Sequence, residues 1–72
     1  MNAVHALREA WATGSWARPL TWRYLGRGIG KVADNGSWRW GYGPTHQHVV
    51  MLPALPDLTE EWEVCSSEAL LT

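Results

Sequence analysis

The chain has 72 residues, a formal net charge of -1 at pH 7, one cysteine, and six tryptophans without a phenylalanine. A chain of this length predicts a single domain over residues 1–72. Because Cys65 is the only cysteine, an internal disulfide bond is excluded. No apolar run approaches the roughly 20 residues that cross a bilayer, so the sequence predicts no membrane partner and a cytoplasmic protein.

Charge is distributed unevenly along the chain. Five of the seven acidic residues follow residue 56, whereas every basic residue precedes residue 40, namely Arg8, Arg18, Arg23, Arg27, Lys31 and Arg39. The first part of the chain is therefore electropositive and the last part is acidic. The two parts either neutralise each other, within a subunit or between subunits, or leave the positive part to face an anionic ligand.

The first predicted element is an amphipathic helix over residues 2–13. Asn2 is a suitable N-cap, and Gly14 stands where a glycine commonly follows a helix. Apolar residues recur at helical spacing at Val4, Leu7, Ala10 and Trp11. We expect this stripe to pack on the rest of the domain.

The next segment, residues 16–25, is typical of a strand that Pro19 interrupts and that resumes at Thr21. Proline within a strand indicates an edge or a bend. Residues 26–30 are rich in glycine but lack the spacing of a dinucleotide-binding loop. We therefore interpret them as a loop or an irregular entry to the next strand.

The clearest turn signal is Asp34-Asn35-Gly36, which predicts a β-hairpin. After this turn, Trp38, Trp40 and Tyr42 alternate with smaller or polar residues, so their rings share one face of the strand. That face is either buried beneath the helix, which we favour for most of it, or an open stacking platform.

The C-terminal part predicts two further strands. Residues 47–52 form an apolar run typical of a central strand. Trp62 and Val64 alternate with acidic residues, which suits a last strand with one buried face and Trp62 in the core. Residues 66–72 resemble a short tail. The predicted fold class is α+β, with the N-terminal helix packed on a small antiparallel β-sheet of about four strands.

No group of residues forms a recognisable catalytic site or metal site. His46 and His48 would point the same way on a strand, but no cysteine or carboxylate is near them in sequence, so we interpret them as solvated. Acidic neighbours would raise the pKa of Cys65 and make its thiol unreactive. We therefore expect a binding protein that is not an enzyme, with no cofactor and no metal.

Two parts of the chain resemble a known family. Near the start stand Ala6-Leu7, Gly14, Ala17-Arg18 and Trp22, and near the end stands Leu58-Thr59-Glu60-Glu61-Trp62-Glu63-Val64. This order of features is similar to that of the small phage proteins that include the second Thoeris anti-defence protein, a sponge for cyclic nucleotide signals. The ending is the more specific of the two matches.

The resemblance implies a protein in the cytoplasm of an infected cell that binds a cyclic nucleotide or ADP-ribose-derived signal without cutting it. Such binding would starve a bacterial immune effector of its activator. The resemblance also implies a homo-oligomer, a dimer or a tetramer, with pockets between subunits. Physical reasoning agrees, because purines stack on tryptophan, arginine binds phosphate, and a core this small gains stability from a partner subunit.

Under this hypothesis Trp22 stacks on a base and Arg18 holds phosphate, and the further candidate ligand-binding residues are Trp38, Arg39 and Trp40. The alternative for Trp22 is that it only covers the end of the helix. An alternative function is inhibition of a host or defence enzyme through a surface rich in tryptophan and arginine, which are common at binding hot spots. The near-neutral net charge disfavours single-stranded nucleic acid as a partner.

Overall fold

The computed structural model describes residues 1–45, 47–50 and 58–71. Its elements in chain order are α1 (Ala3–Thr13), β1 (Trp16–Pro19), a 3₁₀ helix (Leu20–Trp22), β2 (Gly28–Asp34), β3 (Ser37–Gly43), β4 (His48–Val49), β5 (Trp62–Cys65) and α2 (Ser67–Leu71). The strands form one antiparallel sheet of five, in the order β4-β3-β2-β1-β5. The predicted α+β class is confirmed, with one strand more than expected.

Helix α1 has both of its predicted caps. The Asn2 side chain accepts a hydrogen bond from the His5 amide, and Gly14 follows the helix with a left-handed φ of 71°. The prediction that Val4 packs in the core is wrong, because Val4 is 61% exposed. The buried stripe of the helix begins one residue earlier and consists of Ala3, Ala6, Leu7 and Ala10. Because three of these side chains are small, the helix can approach the sheet closely.

The sheet face that α1 covers, here called the helix face, carries the larger part of the core. Ala17 on β1 is paired with Ile29 on β2 and with Val64 on β5, so these side chains point the same way. Ala17, Ile29 and Trp62 pack with α1 in one hydrophobic cluster. Trp62 is buried, which confirms its predicted core position.

On the opposite side of the sheet, here called the second face, Trp16 lies against glycines of β2 and β3. A Cβ added at Gly28, Gly30 or Gly43 would come within 3.1, 2.7 and 2.5 Å, respectively, of Trp16 side-chain atoms. The Trp16 indole Nε1 donates a hydrogen bond to the Ser67 hydroxyl at 2.9 Å. A second buried cluster therefore forms here, made by Trp16, Val32 and Leu70.

The hairpin between β2 and β3 is confirmed at the predicted turn. Asp34 is paired with Ser37, so the loop between the strands contains Asn35 and Gly36 only. Both residues have positive φ, at 49° and 80°. Two successive residues with positive φ match the twist of antiparallel strands, and Asn-Gly is the pair that accommodates them best.

The prediction that the strand resumes at Thr21 is wrong. Leu20–Trp22 form a 3₁₀ helix, and the amides of Arg23 and Leu25 donate to the carbonyls of Leu20 and Trp22. These local hydrogen bonds take the place of sheet pairing once Pro19, which has no amide hydrogen, has ended β1. Strand β2 then begins at Gly28, inside the glycine-rich stretch.

Two expectations for the C-terminal part also changed. Residues 47–52 were expected to be a central strand, but β4 contains only His48 and Val49 and lies at the sheet edge, while residues 51–52 lie outside the described residues. Residues 67–71 form helix α2 where a tail was expected. The Ser66 hydroxyl accepts a hydrogen bond from the Ala69 amide, and Leu70 is buried, so capping and burial stabilise this helix.

Candidate ligand-binding surface

The register of the hairpin decides which side chains share the helix face. Ile29, which packs beneath α1, is paired with Tyr42, and the next two pairs on the same face are Lys31 with Trp40 and Ala33 with Trp38. Helix α1 contacts β1, β2 and β5. The rings on β3 therefore lie on the helix face, beside the helix rather than beneath it.

Five aromatic side chains meet on this part of the helix face, and we call them the aromatic strip: Trp11, Trp22, Trp38, Trp40 and Tyr42. Trp11 at the end of α1 reaches Trp40, with ring centroids 4.7 Å apart and planes tilted by 53°. Trp22 on the 3₁₀ helix reaches Tyr42, at 5.9 Å and 44°. Tilted pairs at these distances are favourable aromatic contacts. Three of the tryptophans that the sequence predicted as ligand-binding are therefore members of one surface.

Two cations lie over the aromatic strip. The Arg27 guanidinium is 4.9 Å from the ring centroid of Trp22 and 5.1 Å from that of Tyr42. The Lys31 ammonium is 5.2 Å from the Trp38 ring and 5.8 Å from the Trp11 ring. These are cation–π distances, at which the negative ring faces attract positive charge.

Sequence reasoning missed both cations as site residues. Lys31 could have been found, because an Asn35-Gly36 turn with a two-residue loop pairs Lys31 with Trp40 across the hairpin. No local pattern identifies Arg27, because the connection from the 3₁₀ helix to β2 decides where its side chain lies.

Exposure varies along the strip. Trp38 is 60% exposed, whereas Trp22, Trp40 and Tyr42 are half-buried against the hydrophobic core. The expectation that most of the β3 rings are buried therefore holds for Trp40 and Tyr42 in part and fails for Trp38. Trp38 is the ring with most surface available for stacking.

The two arginines predicted as ligand-binding lie on the second face. Arg39 is paired with Val32, a member of the second-face cluster, and its Nε is 3.0 Å from an oxygen of Asp34. Arg18 is paired with Glu63 on β5. The structure thus separates Arg18 and Arg39 from the aromatic strip by the thickness of the sheet.

Arg18 belongs to a charged cluster with Glu63 and Arg23. Arg18 is only 6% exposed. Its Nε donates a hydrogen bond to Glu63 Oε2 at 2.6 Å, and its Nη1 donates one to the Arg23 carbonyl at 3.0 Å. Arg23 donates to both oxygens of the same carboxylate, at 3.0 and 3.4 Å. The hydrogen bonds from Arg23, and to a smaller extent the one from Arg18, lower the pKa of Glu63, although partial burial acts in the opposite direction.

The remaining chemical groups are dispersed. Within the ranges 1–45, 47–50 and 58–71, no three His, Cys, Asp or Glu residues are close enough together to hold a metal ion. Burial raises the pKa of the Cys65 thiol, which keeps it protonated and a poor nucleophile. His46, half of the predicted histidine pair, lies outside the described residues, and His48 is exposed on β4.

Comparisons of this chain with protein-family models, curated protein sequences and solved structures found no match. In the described part of the chain, no helix has the length and apolar character needed to span a membrane.

Proposed function

We propose that this protein is a phage anti-defence sponge, which binds a cyclic nucleotide immune signal and sequesters it uncleaved in the cytoplasm of the infected cell. The observation that carries the proposal is the aromatic strip with its two cations. Trp22, Trp38 and Trp40 share one sheet face with Tyr42, and Arg27 and Lys31 lie over the rings. The flat rings match the base of a nucleotide, and the positive charges match its phosphate.

The aromatic strip supplies both parts of nucleotide recognition. Stacking of a base on an aromatic side chain contributes about 1–3 kcal/mol, and Trp38 offers the most accessible ring. Arg27 and Lys31 supply charge-assisted hydrogen bonds to phosphate. A ligand on this face contacts these two residues rather than Arg18 and Arg39, whose guanidiniums are on the other side of the sheet and paired with carboxylates.

Assembly is part of the proposal. A domain of 72 residues buries a modest core, and a second subunit packed beside the exposed Trp38 would both stabilise the fold and close the open side of the aromatic strip. We expect a homodimer or a homotetramer. Light scattering at micromolar concentration tests this, and a monomer at 8.1 kDa would contradict pockets formed between subunits.

The second candidate is a protein–protein inhibitor. The observation that favours it is again Trp38, a large ring 60% exposed beside the Lys31 ammonium. Tryptophan at the centre of a surface patch is a frequent hot spot of protein interfaces. This reading predicts a macromolecular partner and no small-molecule ligand.

Titration calorimetry against cyclic di- and trinucleotides and ADP-ribose-derived nucleotides separates the two candidates. Under the sponge proposal one member binds, mass spectrometry recovers it intact, and Trp38→Ala weakens binding about tenfold, as expected for one lost stack. Leu25→Ala is the control, because Leu25 is 59% exposed and is not part of the aromatic strip. If no nucleotide binds more tightly than about 10 µM, the sponge proposal fails and the inhibitor takes its place.

A further inference from the structure

A cavity lies on the second face, away from the aromatic strip. Its volume is about 360 Å³, and it lies between the end of β1, the turn at residues 23–26 and helix α2. The lining residues are Arg18, Arg23, Tyr24, Gly26, Ala69 and Leu70. This volume is at the small end of the range for pockets that hold small molecules.

Arg18 lines this cavity, and one nitrogen of its guanidinium makes no hydrogen bond to the described residues. Among the described residues, Nε is bonded to Glu63 and Nη1 to the Arg23 carbonyl, and no hydrogen bond engages Nη2. No buried side-chain nitrogen of the described residues lacks a partner, so Nη2 is reached by solvent. Because the rest of the side chain is enclosed and Arg18 lines the cavity, the accessible nitrogen opens into that space.

Arg23, at the rim of the cavity, also has one guanidinium nitrogen without a partner among the described residues. Its Nε and Nη2 donate to Glu63, and Nη1 has no partner among the described residues. Two guanidiniums share one carboxylate, so the cluster carries a net positive charge with donors left over. Apolar surface from Leu70 and Ala69 and the exposed ring of Tyr24 complete the lining.

We propose that this cavity is an oxyanion site, which binds a carboxylate or a phosphate monoester carried on a small apolar or aromatic body. Arg18 Nη2 and Arg23 Nη1 hold the oxyanion, and the α2 side of the cavity takes the apolar part. Charge-assisted hydrogen bonds from two guanidiniums are the donors that best match these anions. Under this proposal Arg18 binds an oxyanion, as predicted from sequence, but at a site separate from the aromatic strip.

Amide-resolved NMR titration tests the site with three probes: phenyl phosphate, benzoate and neutral benzamide. We expect saturable shifts of the Gly26, Ala69 and Leu70 amides with either anion and none with benzamide. A tighter phenyl phosphate complex identifies a phosphate ligand, and a tighter benzoate complex identifies a carboxylate ligand. Equal shifts with benzamide, or anion shifts scattered over the surface, would overturn the proposal.

Four variants sharpen the test. Arg23→Gln should weaken anion binding about tenfold, the value of one charge-assisted hydrogen bond. Arg39→Gln is the matched control, because Arg39 is also ion-paired on the second face but lines no part of this cavity, and it should bind as the parent does.

Glu63→Gln removes the internal carboxylate that competes for both guanidiniums, so anions should bind more tightly to this variant. Weaker anion binding by Glu63→Gln, or equal losses in Arg23→Gln and Arg39→Gln, would show that the cluster is structural only. Trp38→Ala should leave these titrations unchanged, so the outcome is independent of the proposed function of the aromatic strip.

Discussion

The two faces of the sheet use tryptophan in opposite ways. On the second face, Trp16 is 5% exposed because glycines of the neighbouring strands leave room for its ring to lie flat against the backbone. On the helix face, Trp38 is 60% exposed beside the small side chain of its cross-strand partner Ala33. Both residues stand on strands of the same sheet. The contacts that surrounding residues make with each ring, such as those of Val32 and Leu70 with Trp16, therefore decide which tryptophan is core, and the hydrophobicity of tryptophan does not.

Trp16→Ala should produce the largest effect, because it empties the space above the glycines and removes the hydrogen bond to Ser67. Replacing a fully packed tryptophan by alanine costs about 3–5 kcal/mol, which is a large part of the stability of a small domain. Chemical denaturation monitored by circular dichroism measures the loss. A midpoint within error of the parent protein would mean that the ring does not cover this face.

Gly43→Ala should have an intermediate effect. The added methyl group would lie 2.5 Å from a ring atom of Trp16, and overpacking of this kind costs about 1–3 kcal/mol. The control is the same change in a Trp16→Leu background, where the methyl has room. The two substitutions should therefore be strongly non-additive in the free energy of unfolding. Simple additivity would place the Trp16 ring elsewhere.

Acid should destabilise the second face specifically. The folded-state pKa of Glu63 lies below its ordinary value of 4.5, so the stabilisation is present above that value and is lost as the pH falls through the folded-state pKa. Protonation also leaves the buried Arg18 without its carboxylate partner. Melting temperatures measured down to acidic pH should fall more steeply for the parent than for Glu63→Gln, and parallel profiles would contradict the assignment.

In the dissociated subunit at high dilution, Trp38→Ala should have the smallest effect on stability, within about 0.5 kcal/mol, because most of the ring is already in water there. Iodide should quench Trp38 fluorescence efficiently in a variant that keeps Trp38 and carries phenylalanine in place of the half-buried tryptophans of the aromatic strip. Strong protection of Trp38 in the free protein at high dilution would show that a neighbouring element or subunit covers it.

The parts of the fold that sequence reasoning predicted are those that neighbouring residues determine. The caps at Asn2 and Gly14 and the turn at Asn35-Gly36 depend on local hydrogen bonds and on positive φ angles. The alternation of Trp62 with acidic residues likewise gave the correct strand and the correct burial. Trp38 and Trp40 were found because their alternation within one strand is visible in sequence, whereas Trp22 became a candidate through the resemblance of the chain's start to a known family.

The parts that could not be predicted depend on contacts between distant segments. Strand β1 lies between β2 and β5, and its pairing with β5 turns Arg18 towards Glu63, 45 residues away. That pairing places Arg18 on the second face, which no window of local sequence shows. Helix α2 depends in the same way on Leu70 finding the cluster around Trp16 and Val32.

The glycines under Trp16 have a consequence for how this sequence can diverge. Gly28, Gly30 and Gly43 come from two strands, yet all three are in contact with one side chain, so they form a single unit with residue 16. At Gly43 every close contact of an added Cβ is with the Trp16 ring, so a homologue with alanine or valine at position 43 should carry a smaller residue at position 16. Conversely, a homologue that keeps Trp16 should keep all three glycines even where the rest of the hairpin has changed. Linked exchange at positions 16 and 43 would therefore identify remote relatives of this fold after overall similarity has been lost.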